Sequence, residues 1–133
     1  MLKRLSSKES PFKAACEVEH AAFTIGAEAD DVINVAVQLL DPGFSEVRRS
    51  VHVDAYLSDL ATGLSVTSAA PTVAVGTNGV ALPFIAGKAF KLISDDEGRI
   101  DLDITHSGAK TRYLVLCMPN GSLVISGAIT HGA

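Results

Sequence analysis

TRYLVLCMPNGSLVISGAIT, residues 111–130, is the stretch that decides the fold class. Two apolar runs rich in β-branched residues flank Pro119-Asn120-Gly121, and an Asn-Gly pair between such runs is the strongest short-range hairpin signal. Asn and Gly both tolerate the positive φ that a tight strand reversal needs. The spacing therefore predicts a hairpin turning at Asn120-Gly121 and makes the chain a β-sheet module.

Working outward, the same period-two signature recurs. In residues 99–105, Ile100, Leu102 and Ile104 alternate with Asp101 and Asp103, one face apolar and the other polar. In residues 31–40, Ile33, Val35, Val37 and Leu39 alternate with Asn34, Ala36 and Gln38, and Asp41-Pro42-Gly43 follows as a turn with Gly placed to take positive φ. Residues 50–57 put Val51, Val53, Ala55 and Leu57 on one face, with His52, Asp54 and Tyr56 on the other. Residues 73–75 and 80–85 read as two short strands around Gly76-Thr77-Asn78-Gly79, and 88–94 as another strand closed by Asp95-Asp96-Glu97-Gly98. Residues 17–25 pair as a strand, with a short helix over 14–22 as the alternative. The small-residue segment 58–71 reads as a long connection holding one weak strand.

About eight to ten short strands with regularly spaced turns predict an all-β fold, an antiparallel β-sandwich of jelly-roll or immunoglobulin-like type. At 133 residues the chain makes one domain, expected over 14–133, behind a flexible basic N-terminal arm over 1–13. Apolar residues make up 47% and aromatics only 5%, with no Trp, so aliphatic side chains must fill the core. So apolar a chain with no membrane-length run implies apolar surface covered by a partner.

The arm carries Lys3, Arg4, Lys8 and Lys13 against Glu9, a balance of +3, which leaves −7 for the rest of a chain whose net charge is −4. An acidic body with few aromatics argues against nucleic-acid binding, and nothing points to a membrane. The first residues lack the apolar stretch of a secretory signal, which places synthesis in a reducing cytoplasm. Cys16 and Cys117 are too few for a disulfide framework or a zinc site, and Cys117 reads as a small core residue.

Chemistry-bearing candidates are weak. Asp95, Asp96, Glu97, Asp101 and Asp103 lack the spacing of a calcium loop and read as a solvated turn and polar strand face. His20, His52, His106 and His131 have no metal-ligand spacing and read as surface or turn residues; His52 and Asp54 share a strand face. Gly79…Gly87-Lys88 is too long for a phosphate loop and has Ala89 where a Ser or Thr must stand, and no G-x-S-x-G occurs. The expectation is no enzyme, no cofactor and no metal. Adjacent Arg48 and Arg49 are candidates for the rim of a protein interface.

VHVDAYLSD (51–59), VGTNGVAL (75–82), GKAFKLISDDEGRIDLDIT (87–105) and TRYLVLCMPNGSLVISGAIT (111–130), in this order, resemble the capsid cement or decoration proteins of tailed bacteriophages. The resemblance spans about residues 31–131. It implies a β-sandwich, jelly-roll or β-tulip fold on the capsid exterior of a virion, bound to the major capsid protein and bridging capsomers. It further implies a homo-oligomer, with a dimer favoured over a trimer as the commonest closed assembly. The arm residues Lys3, Arg4, Lys8 and Lys13 would then dock on the capsid or a neighbouring subunit. The rival reading is an immunoglobulin-like adhesion module of a phage tail or fibre, which would need aromatics at loop tips. Here Tyr56 and Tyr113 lie in strands, and Phe44 alone sits in a clear turn.

Overall fold

Period-two alternation gives each strand one apolar face, and two sheets bury those faces by packing against each other. The computed structural model describes residues 18–132, which form ten strands and no helix. They are β1 (His20–Ile25), β2 (Val32–Leu40), β3 (His52–Ser58), β4 (Thr72–Val75), β5 (Val80–Ile85), β6 (Ala89–Ile93), β7 (Arg99–Thr105), β8 (Lys110–Cys117), β9 (Leu123–Ile125) and β10 (Ile129–His131). The smaller sheet runs β1-β2-β7-β4, and the larger β10-β8-β3-β6-β5 with β9 also on β8; every pairing is antiparallel. The β2–β3, β3–β4, β4–β5, β6–β7 and β7–β8 connections cross from one sheet to the other.

One core lies between the sheets. Ile33, Val35, Val37, Leu39, Ile100, Leu102 and Ile104 enter it from the smaller sheet. Val53, Ala55, Leu57, Phe90, Leu92, Leu114 and Leu116 meet them from the larger. The inward sets of β2, β3 and β7 are those the alternation predicts. Residues 20–22 belong to β1, so the helical alternative fails there. The connection 59–71 contains no strand, only an isolated bridge between Ser58 and Val66. The arm with Lys3, Arg4, Lys8 and Lys13, and Cys16, lie outside the described residues.

The decisive hairpin forms with two departures. Its turn is a three-residue loop: the Met118 amide donates to Ser122 O, the Gly121 amide donates to Met118 O, and Gly121 alone takes positive φ, 91°. Asn120 instead accepts from the Ser122 amide and hydroxyl (3.0 and 2.8 Å), so the pair divides the work. The returning strand also breaks in two. Register runs Val115↔Ile125 in β9 but Arg112↔Ile129 in β10, one residue out of step, which defines a β-bulge. Ser126 holds the bulge, its hydroxyl accepting from the Leu114 amide at 2.9 Å. The bulge turns Ile129 and His131 into the interior. At the β2 turn, positive φ falls on Phe44 (65°) rather than on Gly43, and the Phe44 ring stacks on His20 with centroids 4.1 Å apart.

Candidate protein-docking face

The two sheets differ on their outward sides. On the smaller sheet, Asn34 Nδ2 donates to Asp101 Oδ2 (2.9 Å) and Asp103 Oδ1 (2.8 Å), and Gln38 Nε2 donates to Glu97 O (3.0 Å). Asp101 faces outward as expected yet is buried, because the β4–β5 turn folds over it. Its carboxylate accepts from the Thr77 and Asn78 amides at 3.0 and 2.6 Å. Burial pushes its pKa up, but hydrogen bonds from Asn78, Asn34 and Thr77 outweigh that and hold it below the usual carboxylate value. The expectation of a solvated strand face is thus corrected at Asp101. Asp95 caps its own turn by accepting from the Glu97 and Arg99 amides, and no cluster among the described residues is arranged to hold a metal ion.

The outward side of the larger sheet is apolar. Register aligns Val80, Ile93 and His52 in one row across β5, β6 and β3. A second row runs Leu82, Lys91, Asp54, Cys117 and Leu123, out to β9. A third runs Ile85, Ala89, Tyr56, Val115 and Ile125. The charges on these rows cancel locally: Lys91 Nζ lies 3.2 Å from Asp54 Oδ1. Cys117 belongs here, half-exposed, because Leu116 takes the inward position; its expected place in the core is corrected. Burial, and then the nearby Asp54, push the Cys117 thiol above its ordinary pKa, which makes it a weak nucleophile.

The β3–β4 connection covers part of this face. Gly63, at φ 76°, packs against Val115 and Ile125, and Tyr56 donates its hydroxyl hydrogen to Gly63 O at 2.5 Å. The loop seals Val115 completely and presents Leu60, Leu64 and Val66 outward. With Val80, Leu82, Phe84, Ile85 and Leu123, these account for every exposed large apolar side chain among the described residues except Phe44. Their summed exposed surface is on the order of 800 Å², near one side of a standard protein interface. The strand β5 is apolar on its inner side as well, where Ala81 and Pro83 line a cleft of about 360 Å³ with Pro71, Val73 and Phe90. Pro83, beside a register shift, keeps the free edge of β5 from continuing the ladder.

The loop is anchored at its far end by groups that sequence reasoning missed. Arg112 points inward from β8 and is fully buried. Its Nε donates to Thr67 Oγ1 (3.2 Å), and Nη2 lies 2.6 Å from Ala69 O and 3.3 Å from His106 Nδ1. Thr67 passes the contact on, its hydroxyl donating to Asp59 Oδ1 at 2.7 Å. His131 is buried beside them, its ring 5.7 Å from that of His106 and its Nε2 donating to Ile104 O at 3.0 Å. His131 is therefore not the surface residue expected, and His106 is half-buried. The only sequence signal was an Arg at an inward position of an otherwise apolar strand.

Arg48 bridges Glu46 and Glu97, both at 2.8 Å, on the exposed loop before β3; Arg49 follows it, its carbonyl accepting from Ser94. Neither lies in the three apolar rows. His52 is exposed on the first row, while Asp54 pairs with Lys91.

No protein-family model matches the chain, and a search of curated proteins finds no significant relative.

Proposed function

We propose that the chain is a non-enzymatic structural protein of a tailed-phage virion, a capsid cement protein that seats the outer side of its larger sheet on the head. The observation that supports this most is the broad apolar face, on which Lys91 and Asp54 pair with each other, beside a smaller sheet whose outward polar groups bond within the chain. Such a face gains by being covered and loses little by desolvation of charge. The choice of major capsid protein as partner rests on the resemblance of residues 31–131. In a homodimer or trimer, several weak contacts act together and multiply the hold on the lattice. The basic residues Lys3, Arg4, Lys8 and Lys13 add an electrostatic contact of their own.

Co-sedimentation with expanded, decoration-free heads tests the reading. Binding is expected to saturate at a fixed ratio to capsid subunits and to delay heat rupture of the heads. Leu82→Asp with Phe84→Asp is expected to weaken binding at least about tenfold, because charges are placed where apolar surface must be dehydrated. Failure of the unaltered protein to bind demonstrably expanded heads overturns the reading. Deletion of residues 1–13 tests the arm separately: unchanged occupancy removes it from the interface.

A further inference from the structure

The connection 59–71 is held from two sides. Over the outer face it rests on Tyr56, Val115 and Ile125 through Gly63. At its other end the Thr67 amide donates to Leu57 O (2.8 Å), and the Ser68 amide to Asp59 Oδ2 (3.0 Å). Beneath that end lies Arg112, whose guanidinium grips the Thr67 hydroxyl and the Ala69 carbonyl. Its Nη1 has no hydrogen-bond partner among the described residues, and its counter-charge, Asp59, reaches it through the Thr67 hydroxyl. A buried cation held by so few contacts has little to replace any that is lost.

One of those contacts depends on protonation. For the Arg112 N–H to donate to His106 Nδ1 at 3.3 Å, that nitrogen must carry no proton. The groups facing His106 are Arg112 and Lys110 from β8, His131 from β10, and Asp31 from the β1–β2 turn, to whose carbonyl the His106 amide donates at 3.0 Å. Protonation would thus set an imidazolium against a buried guanidinium, with Asp31 the one opposing carboxylate among the described residues.

We propose that Arg112 is a positioning residue for the loop that presents Leu60, Leu64 and Val66, and that His106 makes its hold pH-dependent. With His106 neutral the loop is latched; with His106 protonated the Thr67–Ala69 anchor is released. The consequence for partner binding rests on the docking reading above, but the latch does not. Burial first, then Arg112, His131 and Lys110, lower the His106 pKa against the opposing pull of Asp31, so the latch stays closed near neutrality. Asp59 does not titrate in the same range: burial pushes it up, but Thr67, Ser68 and Lys110 hold it at about 2.

Amide hydrogen exchange followed by NMR on the full chain, corrected for intrinsic rates, tests the latch between about pH 7.5 and about pH 5. Protection at Thr67 and Ser68 is expected to fall at least about tenfold on acidification while Val35 and Val37 in β2 keep theirs. His106→Gln, which offers a neutral amide oxygen as acceptor, is expected to keep the loop protected at both values. Arg112→Met is expected to lose loop protection at both. Equal protection in the unaltered protein at the two values overturns the latch, as does an undiminished acid loss in His106→Gln. These readouts need no capsid: a loop that opens as expected while head binding is unmoved upholds the latch and removes Leu60, Leu64 and Val66 from the docking face.

Discussion

The outward sides of the two sheets are built on one alternating pattern and end in opposite states. On the smaller sheet the outward positions of β2 and β7 carry Asn34, Asp101 and Asp103, which bond each other and the β4–β5 turn, and Gln38, which bonds the β6–β7 turn. On the larger sheet the corresponding positions of β5, β6, β8 and β9 carry Val80, Leu82, Ile93, Val115 and Leu123, with one ion pair among them. The first face is complete by itself, because its polar groups have partners within the chain. The second is complete only when covered, since apolar surface in water has no internal partner to satisfy it.

The contrast breaks most severely at Asp101. Asp101→Ala strips the acceptor from the Thr77 and Asn78 amides and from Asn34, leaving polar groups unpaired at a buried position. A loss of about 2–3 kcal/mol in urea unfolding is expected. Acid tests the same contact. The Asp101 pKa lies below its ordinary 3.8, so the stability it contributes is intact above that value and is lost as pH falls through the lowered one. Next in size is Gly76→Ala: an added Cβ would collide with the Asp101 carboxylate and press on Asn34 Nδ2. A cost of about 1–3 kcal/mol is expected in the same assay.

A smaller effect belongs to His106. Its pKa is lowered in the folded chain, so the unfolded chain takes up the proton first. Stability is then full above the ordinary histidine value of 6.5 and declines as pH falls toward the lowered one. Urea midpoints measured across that window should fall in the unaltered protein and stay level in His106→Gln. The smallest effect on folding falls on the apolar side. Leu82→Asp with Phe84→Asp should change unfolding free energy by less than about 0.5 kcal/mol per site, while binding of an apolar dye drops. Equal destabilisation from the Asp101 and Leu82 substitutions would erase the distinction between the two faces.

Much of this architecture was legible in the chain. The inward sets of β2, β3 and β7 follow from alternation, because a strand turns successive side chains to opposite sides and only one side can be buried. The docking face was half legible: Val80 and Leu82 stand two positions apart in an apolar run, but such a run does not say which of its sides stays uncovered. The loop over Tyr56 and Val115 gave no signal, since its small residues satisfy no period. The capsid-specific expectations, including the arm, came from resemblance and await the binding experiments.

Sequence by itself determined the all-β class, most strand positions and the inward side of β2, β3 and β7, because these depend on neighbours two residues apart. Tertiary structure alone decided the rest. A single extra residue between Ser126 and Ile129 turned His131 inward, sheet order placed Cys117 on the outer face, and a turn from β4–β5 closed over Asp101. Arg112 and His106 meet Thr67 and Asp59 although the two pairs are far apart along the chain. Such contacts depend on which strands lie side by side, and no local period records that.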